Sequence, residues 1–269
     1  MTDISRRSAV SSLALAATTA FGQDKATAFA LIGDRYHNSD YIRTALSKTL
    51  SKGLGLKIDF RDDMSLLTAR ELKGHKLLII LRDGMLWPDG YLQSGQGWPE
   101  IVSDPPVPKP DSQPLYWITA EQGRAVKNFV NNGGSALFYH NVPYISPHNE
   151  DFRDVLGAVT EQNPPLRPFK VRVVNKNHPI TRGVNDFIVT DEQHFVKYDK
   201  DPKHLLLESV NENGLTHNNL GTSSAAGWAY DYGKGRVCYL APGHVITALW
   251  NPEYEKLQQN AAKWLLRRI

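Results

Sequence analysis

A second cysteine is missing from this 269-residue chain: Cys238 stands alone. No internal disulfide can support the fold, so its stability must come from packing. Nor is there an apolar run of the roughly 20 residues that a membrane-spanning helix needs. Charge of one sign is scarce as well. The formal net charge is +3, and setting aside Asp3, Arg6 and Arg7, which together carry +1, leaves +2. With so small an excess and no basic run interleaved with aromatics, nucleic acid is not an expected partner. Internal repeats, low-complexity domains and the compact metal motifs HExxH and His-x-His are also absent.

What is present begins with a leader. Ser5-Arg6-Arg7 precedes the small-residue apolar stretch Ala9 to Ala20 and then Phe21-Gly22-Gln23. A positive flank before a short apolar centre is the pattern of a bacterial export signal, and the paired arginines suggest the twin-arginine route. Residues 1–22 are therefore expected to be an export signal, cleaved after Ala20 or Gly22, that delivers the protein to the periplasm. The alternative is an unstructured cytoplasmic N-terminus.

The remainder, residues 23–269, alternates strand and helix patterns and is long enough for one α/β domain. Ala26 to Gly33 reads as a buried strand, Ile42 to Leu50 has helical spacing, and Leu56 to Phe60 returns to a two-residue period. Leu77-Leu-Ile-Ile-Leu81 and Ser135 to Tyr139 are continuous apolar runs of the kind covered on both faces in a parallel sheet. Thr119 and Gln122 form a capping-box pattern. Asn251-Pro252 opens a final helix whose buried stripe is Tyr254, Leu257, Ala261, Trp264 and Leu265. Residues 84–118 break this regularity. They hold Trp87, Tyr91, Trp98 and Pro105-Pro-Val-Pro-Lys-Pro without a period, as a binding loop or lid does. Aromatic faces there would suit sugar rings, or would simply anchor the insertion to the domain.

Ionisable residues gather where strands end. His37 follows the first strand, His140 the strand 135–139, Asp191-Glu192 the strand-like Phe187 to Thr190, and Gly243-His244 the strand 237–241. In parallel sheets, ligands bind at strand carboxyl ends. In extended backbone Glu192 and His194 share a face, which suits an acid–base pair or two metal ligands; a solvated acidic turn is the plainer alternative. Gly243 would allow a close backbone approach. Cys238 reads as an apolar strand residue, and Gly233-Lys-Gly-Arg236 as a hairpin turn.

His178-Pro-Ile-Thr-Arg-Gly, Thr190-Asp-Glu-Gln-His194, Gly227-Trp-Ala-Tyr-Asp-Tyr-Gly-Lys-Gly-Arg-Val and Gly243-His244 together resemble the ThuA-like (trehalose-utilisation) family. So do Gly33-Asp-Arg-Tyr-His37 and Gly133-Gly-Ser-Ala-Leu-Phe-Tyr-His140. The resemblance covers roughly residues 26 to 269. It implies a three-layer α/β fold with a mainly parallel central sheet, glutamine amidotransferase-like (flavodoxin-like), carrying the aromatic insertion. It also implies an enzyme acting on a small-molecule carbohydrate, a disaccharide or keto-sugar derivative, as a hydrolase, lyase or isomerase, and the leader makes the expected location periplasmic. Related amidotransferases put a cysteine nucleophile on a strand-to-helix turn. Here Phe138-Tyr-His-Asn-Val occupies that turn, so cysteine-dependent glutamine hydrolysis is not expected. The candidate catalytic residues are His37, His140, Glu192 and His244, with Trp87, Trp98 and His194 as candidate substrate contacts. No cofactor is required by this reading, although a divalent metal such as zinc would suit the histidines and carboxylate. The alternative is a non-catalytic sugar-binding or assembly module that uses the same rim.

Overall fold

A computed structural model describes residues 26–87 and 113–269. The leader, the centre of the insertion and Trp98 lie outside these residues.

The first half builds a parallel sheet. Strand β1 (Ala28–Ile32) is followed by helix α1 (Ser39–Leu46), which widens into a π-helical turn at Ser47–Lys52. Next come β2 (Ile58–Arg61), α2 (Ala69–Leu72) and β3 (Leu77–Leu81). Two short strands, β4 (Met85–Leu86) and β5 (Leu115–Tyr116), pair antiparallel and close the neck of the insertion. Helix α3 (Ala120–Asn131) starts at Thr119, where the expected capping box is complete. It leads into β6 (Ser135–Tyr139) and α4 (Glu150–Leu156).

The second half is rich in strands. These are β7 (Ala158–Gln162), β8 (Arg167–Val173), β9 (Phe187–Asp191), β10 (Phe195–Tyr198), β11 (Leu205–Val210), β12 (Ser223–Tyr232) and β13 (Gly235–Leu240). Helices α5 (Ile246–Leu249) and α6 (Pro252–Leu265) close the chain. The side chain of Asn251 caps α6 as its sequence suggests.

Nine strands form one sheet in the order β2-β1-β3-β6-β13-β12-β11-β8-β9. From β2 to β13 the pairings are parallel. From β13 to β9 they are antiparallel. Because directions alternate in that second part, β11 and β9 run the same way as the five parallel strands, so seven of the nine share one direction. Helix α5 contacts α1 and α6, α6 also packs on the π-helical turn, α3 contacts α2 and α4, and both groups reach β6 or β13. The apolar runs explain this layering. Every residue of β1, β3 and β6 is buried, as a sheet covered on both faces demands. By contrast β9 alternates buried and exposed side chains, which leaves one of its faces open.

The antiparallel extension has a consequence for shape. Asp191, at the end of β9, accepts hydrogen bonds from the backbone amides of Gly243 (2.8 Å) and His244 (3.1 Å), just past β13. In a flat sheet, four strand spacings of about 4.8 Å would keep them roughly 19 Å apart. The antiparallel half therefore curls back until its outermost strand touches the carboxyl end of the parallel half.

Candidate active site

Each side chain of the site arrives from a strand end. Gly33 ends β1 with φ +82°, and a β-carbon there would lie 2.7 Å from Ser39 Cβ, so glycine permits the tight turn into Asp34-Arg-Tyr-His37. At the end of β6, His140 itself adopts φ +49°. That left-handed backbone costs a non-glycine residue about 1–2 kcal/mol and marks a sharp turn of the kind that presents a reactive side chain. Its ring is pinned by its own Nδ1–H, which donates to Ala241 O (3.0 Å), and its carbonyl accepts from Tyr239 Oη (2.6 Å). Gly243 lets this ring approach: a β-carbon there would meet His140 Cβ at 2.7 Å.

These turns converge. His37 Nε2 is 2.9 Å from His244 Nδ1, Glu192 Oε2 is 3.2 Å from His244 Nδ1, and it is 3.6 Å from His140 Nε2. One ligand atom from each of His37, His140, Glu192 and His244 lies within 4.8 Å of the others, and the cluster could hold a metal ion. His194 joins it from β10's approach, with Nε2 3.4 Å from His140 Nε2 and 3.8 Å from Glu192 Oε2. All but His140 line one cavity of about 640 Å³, together with Tyr36, Asp83, Asn141, Tyr144, Gln162, Asn163, His217 and others. Its size falls in the range of about 300–1,000 Å³ typical of small-molecule sites. Trp87 lies elsewhere: it lines a neighbouring cleft with Gly33, Asp62 and Arg82, and Arg35 sits 4.7 Å over its ring.

Residues that the strand-end reading passed over hold the centre in place. Asp34 is fully enclosed; its Oδ1 accepts from the amides of Tyr36 (2.8 Å) and His37 (2.9 Å) and from His37 Nδ1 (2.8 Å). Its Oδ2 accepts from Asn141 Nδ2 (2.9 Å) and the Asp83 amide (3.0 Å). Asn141 Nδ2 also lies 2.9 Å from His37 Nδ1, but with a carboxylate at 2.8 Å it is Nδ1 that carries the hydrogen. Asp83 and Asn141 each lie two residues past the ends of β3 and β6, so the rule that singled out His37 and His140 would have found them had it been applied to every polar residue at those ends.

The electrostatics separate the carboxyls. Burial pushes the Asp34 pKa up, but His37 and the surrounding donors outweigh it and hold the group well below the usual carboxylate range. Glu192 behaves alike: burial opposes ionisation, and His140 and His244 overcome it. Asp83 goes the other way, because burial and then the neighbouring Asp34 charge raise its pKa well above the ordinary value. Burial also raises Asp191, against the pull of His140 and the Gly243 amide. Among the imidazoles, burial lowers His37 despite Asp34, and lowers His194 strongly, aided by the charge of His140. His140 ends up raised, since Glu192 and Asp191 outweigh its burial. Cys238 is buried in β13 with its thiol pKa pushed up by burial, as a packing residue.

The fold is thus an α/β sheet whose strand ends deliver histidines and a carboxylate to one polar cavity, with His140 at the turn after β6. The trehalose-utilisation (ThuA) family matches residues 25–265, and the chain belongs to it. Among solved structures it is similar to a ThuA-like protein from Bacteroides uniformis, at 20% identity and a TM-score of 0.63, over 88% of this chain and 90% of that one. A ThuA-like protein from Parabacteroides merdae gives 16% identity and a TM-score of 0.63, over 89% of each chain. A β-galactosidase from Rahnella is similar at 16% identity and a TM-score of 0.52, over 89% of this chain but only 31% of that one. These likenesses show the shared fold. No curated protein sequence matches the chain. No helix among the described residues is long and apolar enough to cross a membrane.

Proposed function

We propose that this protein is an exported enzyme that processes a small carbohydrate, a disaccharide or a keto-sugar derivative, by histidine–carboxylate proton transfer. Family membership suggests a carbohydrate-related role. One observation carries the enzymatic reading: Glu192 Oε2 lies 3.2 Å from His244 Nδ1 and 3.6 Å from His140 Nε2 at the wall of a polar cavity. Pure sugar binding needs hydrogen-bonding groups, but it does not need imidazoles and an ionised carboxylate within proton-transfer reach of one another. A binding module on the same rim is therefore the less favoured reading.

In this scheme Asn141, Gln162, Asn163 and Tyr144 hold hydroxyl groups, while His244, which lines the cavity, takes a proton from carbon or oxygen and Glu192 orients or recharges it, with the buried His140 behind Glu192. Isomerisation, elimination and hydrolysis each begin with such a transfer. The reading requires no cofactor, although a divalent cation such as zinc would suit the His/Glu cluster. The leader 1–22, with its paired arginines, motivates a periplasmic location.

The test is direct. Purified protein is incubated with trehalose, sucrose and their 3-keto forms, with and without chelator, and products are followed by mass spectrometry. Turnover that falls about 10²-fold or more in His140→Ala and Glu192→Ala supports the proposal. Failure to turn over any sugar, with binding retained, would replace it by the binding module.

A further inference from the structure

From the hydrogen-bonding of the cluster we infer that His37 Nε2, His140 Nε2, His244 Nδ1 and Glu192 Oε2 are the ligands of a single divalent cation of the zinc type. The inference rests on the enzymatic reading above and revises one role in it: ring nitrogens that hold the ion cannot also take a proton, so with the ion bound proton transfer falls to the free oxygen of Glu192. Its evidence, however, is independent of any substrate.

The first argument is tautomeric. A backbone carbonyl can only accept, so Ala241 O fixes the hydrogen of His140 on Nδ1. The Asp34 carboxylate does the same for His37 Nδ1. In the neutral rings, both Nε2 atoms are then bare lone pairs, and both point into the space that holds Glu192 Oε2 and His244 Nδ1. Histidines that ligate metals characteristically donate their other ring N–H to a carboxylate or a backbone carbonyl, because this fixes the ring and raises its basicity. Here both kinds of partner occur, one on each ring.

Spacing is the second argument. Ligands about 2.0–2.1 Å from a tetrahedral ion lie about 3.3 Å from each other. Three of the six separations, 2.9, 3.2 and 3.6 Å, bracket that value, and all six fall within 4.8 Å. Charge is the third. Two carboxyl groups stand beside ring nitrogens in a nearly dry place: the Asp34 side chain is fully enclosed against His37, and that of Glu192, beside His140 and His244, is only 13% exposed. A dication among three neutral nitrogens and one carboxylate compensates them. Imidazole with a single carboxylate favours zinc or cobalt over magnesium or calcium, which take oxygen shells. Through His244 and Glu192 the centre borders the cavity, so a bound ion would act as a Lewis acid on a sugar oxygen entering there.

His194 completes the picture as a neighbour. Its Nε2 lies 3.4 Å from His140 Nε2 and 3.8 Å from Glu192 Oε2, so distance does not separate it from the others, but its Nδ1 has no hydrogen-bond partner among the described residues. It lacks the fixed second nitrogen that His37 and His140 have.

The test uses the full chain stripped by chelator and titrated with zinc chloride by calorimetry and with cobalt chloride by visible absorbance. One ion per chain is expected, with an intense four- or five-coordinate cobalt spectrum. Glu192→Gln and His244→Gln, both at the partly exposed edge of the cluster, should each weaken zinc binding by tenfold or more with unchanged circular dichroism. Asp34→Asn should weaken it by about 10–100-fold through His37. His204→Gln, outside the cluster, should not change it. Absence of a one-to-one site, or full affinity in Glu192→Gln and His244→Gln, overturns the inference and leaves the proton-transfer reading intact. Tight binding in a protein that turns over no sugar leaves the ion in place and removes the enzymatic reading instead.

Discussion

Gly243→Ala is a one-carbon change with a calculable effect. The new β-carbon would sit 2.7 Å from His140 Cβ and 3.2 Å from its Cγ. Carbon atoms in contact prefer about 3.5–4.0 Å, so something must move by about 0.8 Å or more. Neither side yields easily: the His140 ring is tied to Ala241 O, its carbonyl is tied to Tyr239 Oη, and the Gly243 amide is tied to Asp191. Overpacking of this kind costs about 1–3 kcal/mol. At about 2–4 °C per kcal/mol for domains of roughly this size, the melting temperature should fall by several degrees. The larger effect should be functional, because a displacement near 1 Å in a reacting group lowers turnover by about 10²-fold. Denaturant melts, imidazole ¹⁵N spectra of His140 and sugar turnover measure the three consequences. A variant with wild-type stability and an unshifted His140 resonance would falsify the packing argument.

Other expectations follow from the two adjoining carboxyls and from a helix cap. The folded-state pKa of Asp34 is depressed, so its contribution to stability is present above its ordinary value of 3.8 and is lost as pH falls from there through the folded value. Asp34→Asn should therefore destabilise by about 3 kcal/mol at neutral pH and progressively less below pH 3.8, read from urea melts across pH. Asp83 has the opposite sign. Its folded pKa is raised, so the wild type loses stability as pH climbs from 3.8 towards that value, whereas Asp83→Asn should not; a variant less stable than wild type at pH 7 would contradict this. Thr119→Ala removes one half of the α3 capping box and should cost about 1 kcal/mol, with the cavity unchanged by crystallography.

Much of this architecture was legible along the chain because it depends on neighbours in sequence. Continuous apolar runs announced β1, β3 and β6, and the caps at Thr119 and Asn251 announced α3 and α6. The strand-end rule went further and selected His37, His140, Glu192 and His244, which the fold gathers within 4.8 Å. What stayed hidden depends on distant partners. Nothing local says that β9 curls back to the Gly243 amide, that Asp34 stays ionised while Asp83 resists ionisation, or that a carbonyl 101 residues away fixes the tautomer of His140. Trp87 shows the limit of composition. It has the ring that a sugar platform needs, but it faces the cleft beside Arg35.

The curl of the sheet also decides when the centre can exist. His37 meets a partner 207 positions later, His140 one 101 positions later, and Asp191 closes on an amide 52 positions away. During synthesis the parallel strands β1, β3 and β6 emerge early, yet Gly243 and His244 come from the last tenth of the chain. A polypeptide interrupted before β13, however well its early strands associate, carries an inert half-ring of imidazoles. Assembly of the cluster thus requires that β13 and the turn at Gly243 have been made and have met the end of β9. Any event that loosens the outer antiparallel strands, by proteolysis or by local melting, should silence the centre while most of the helical layers remain folded.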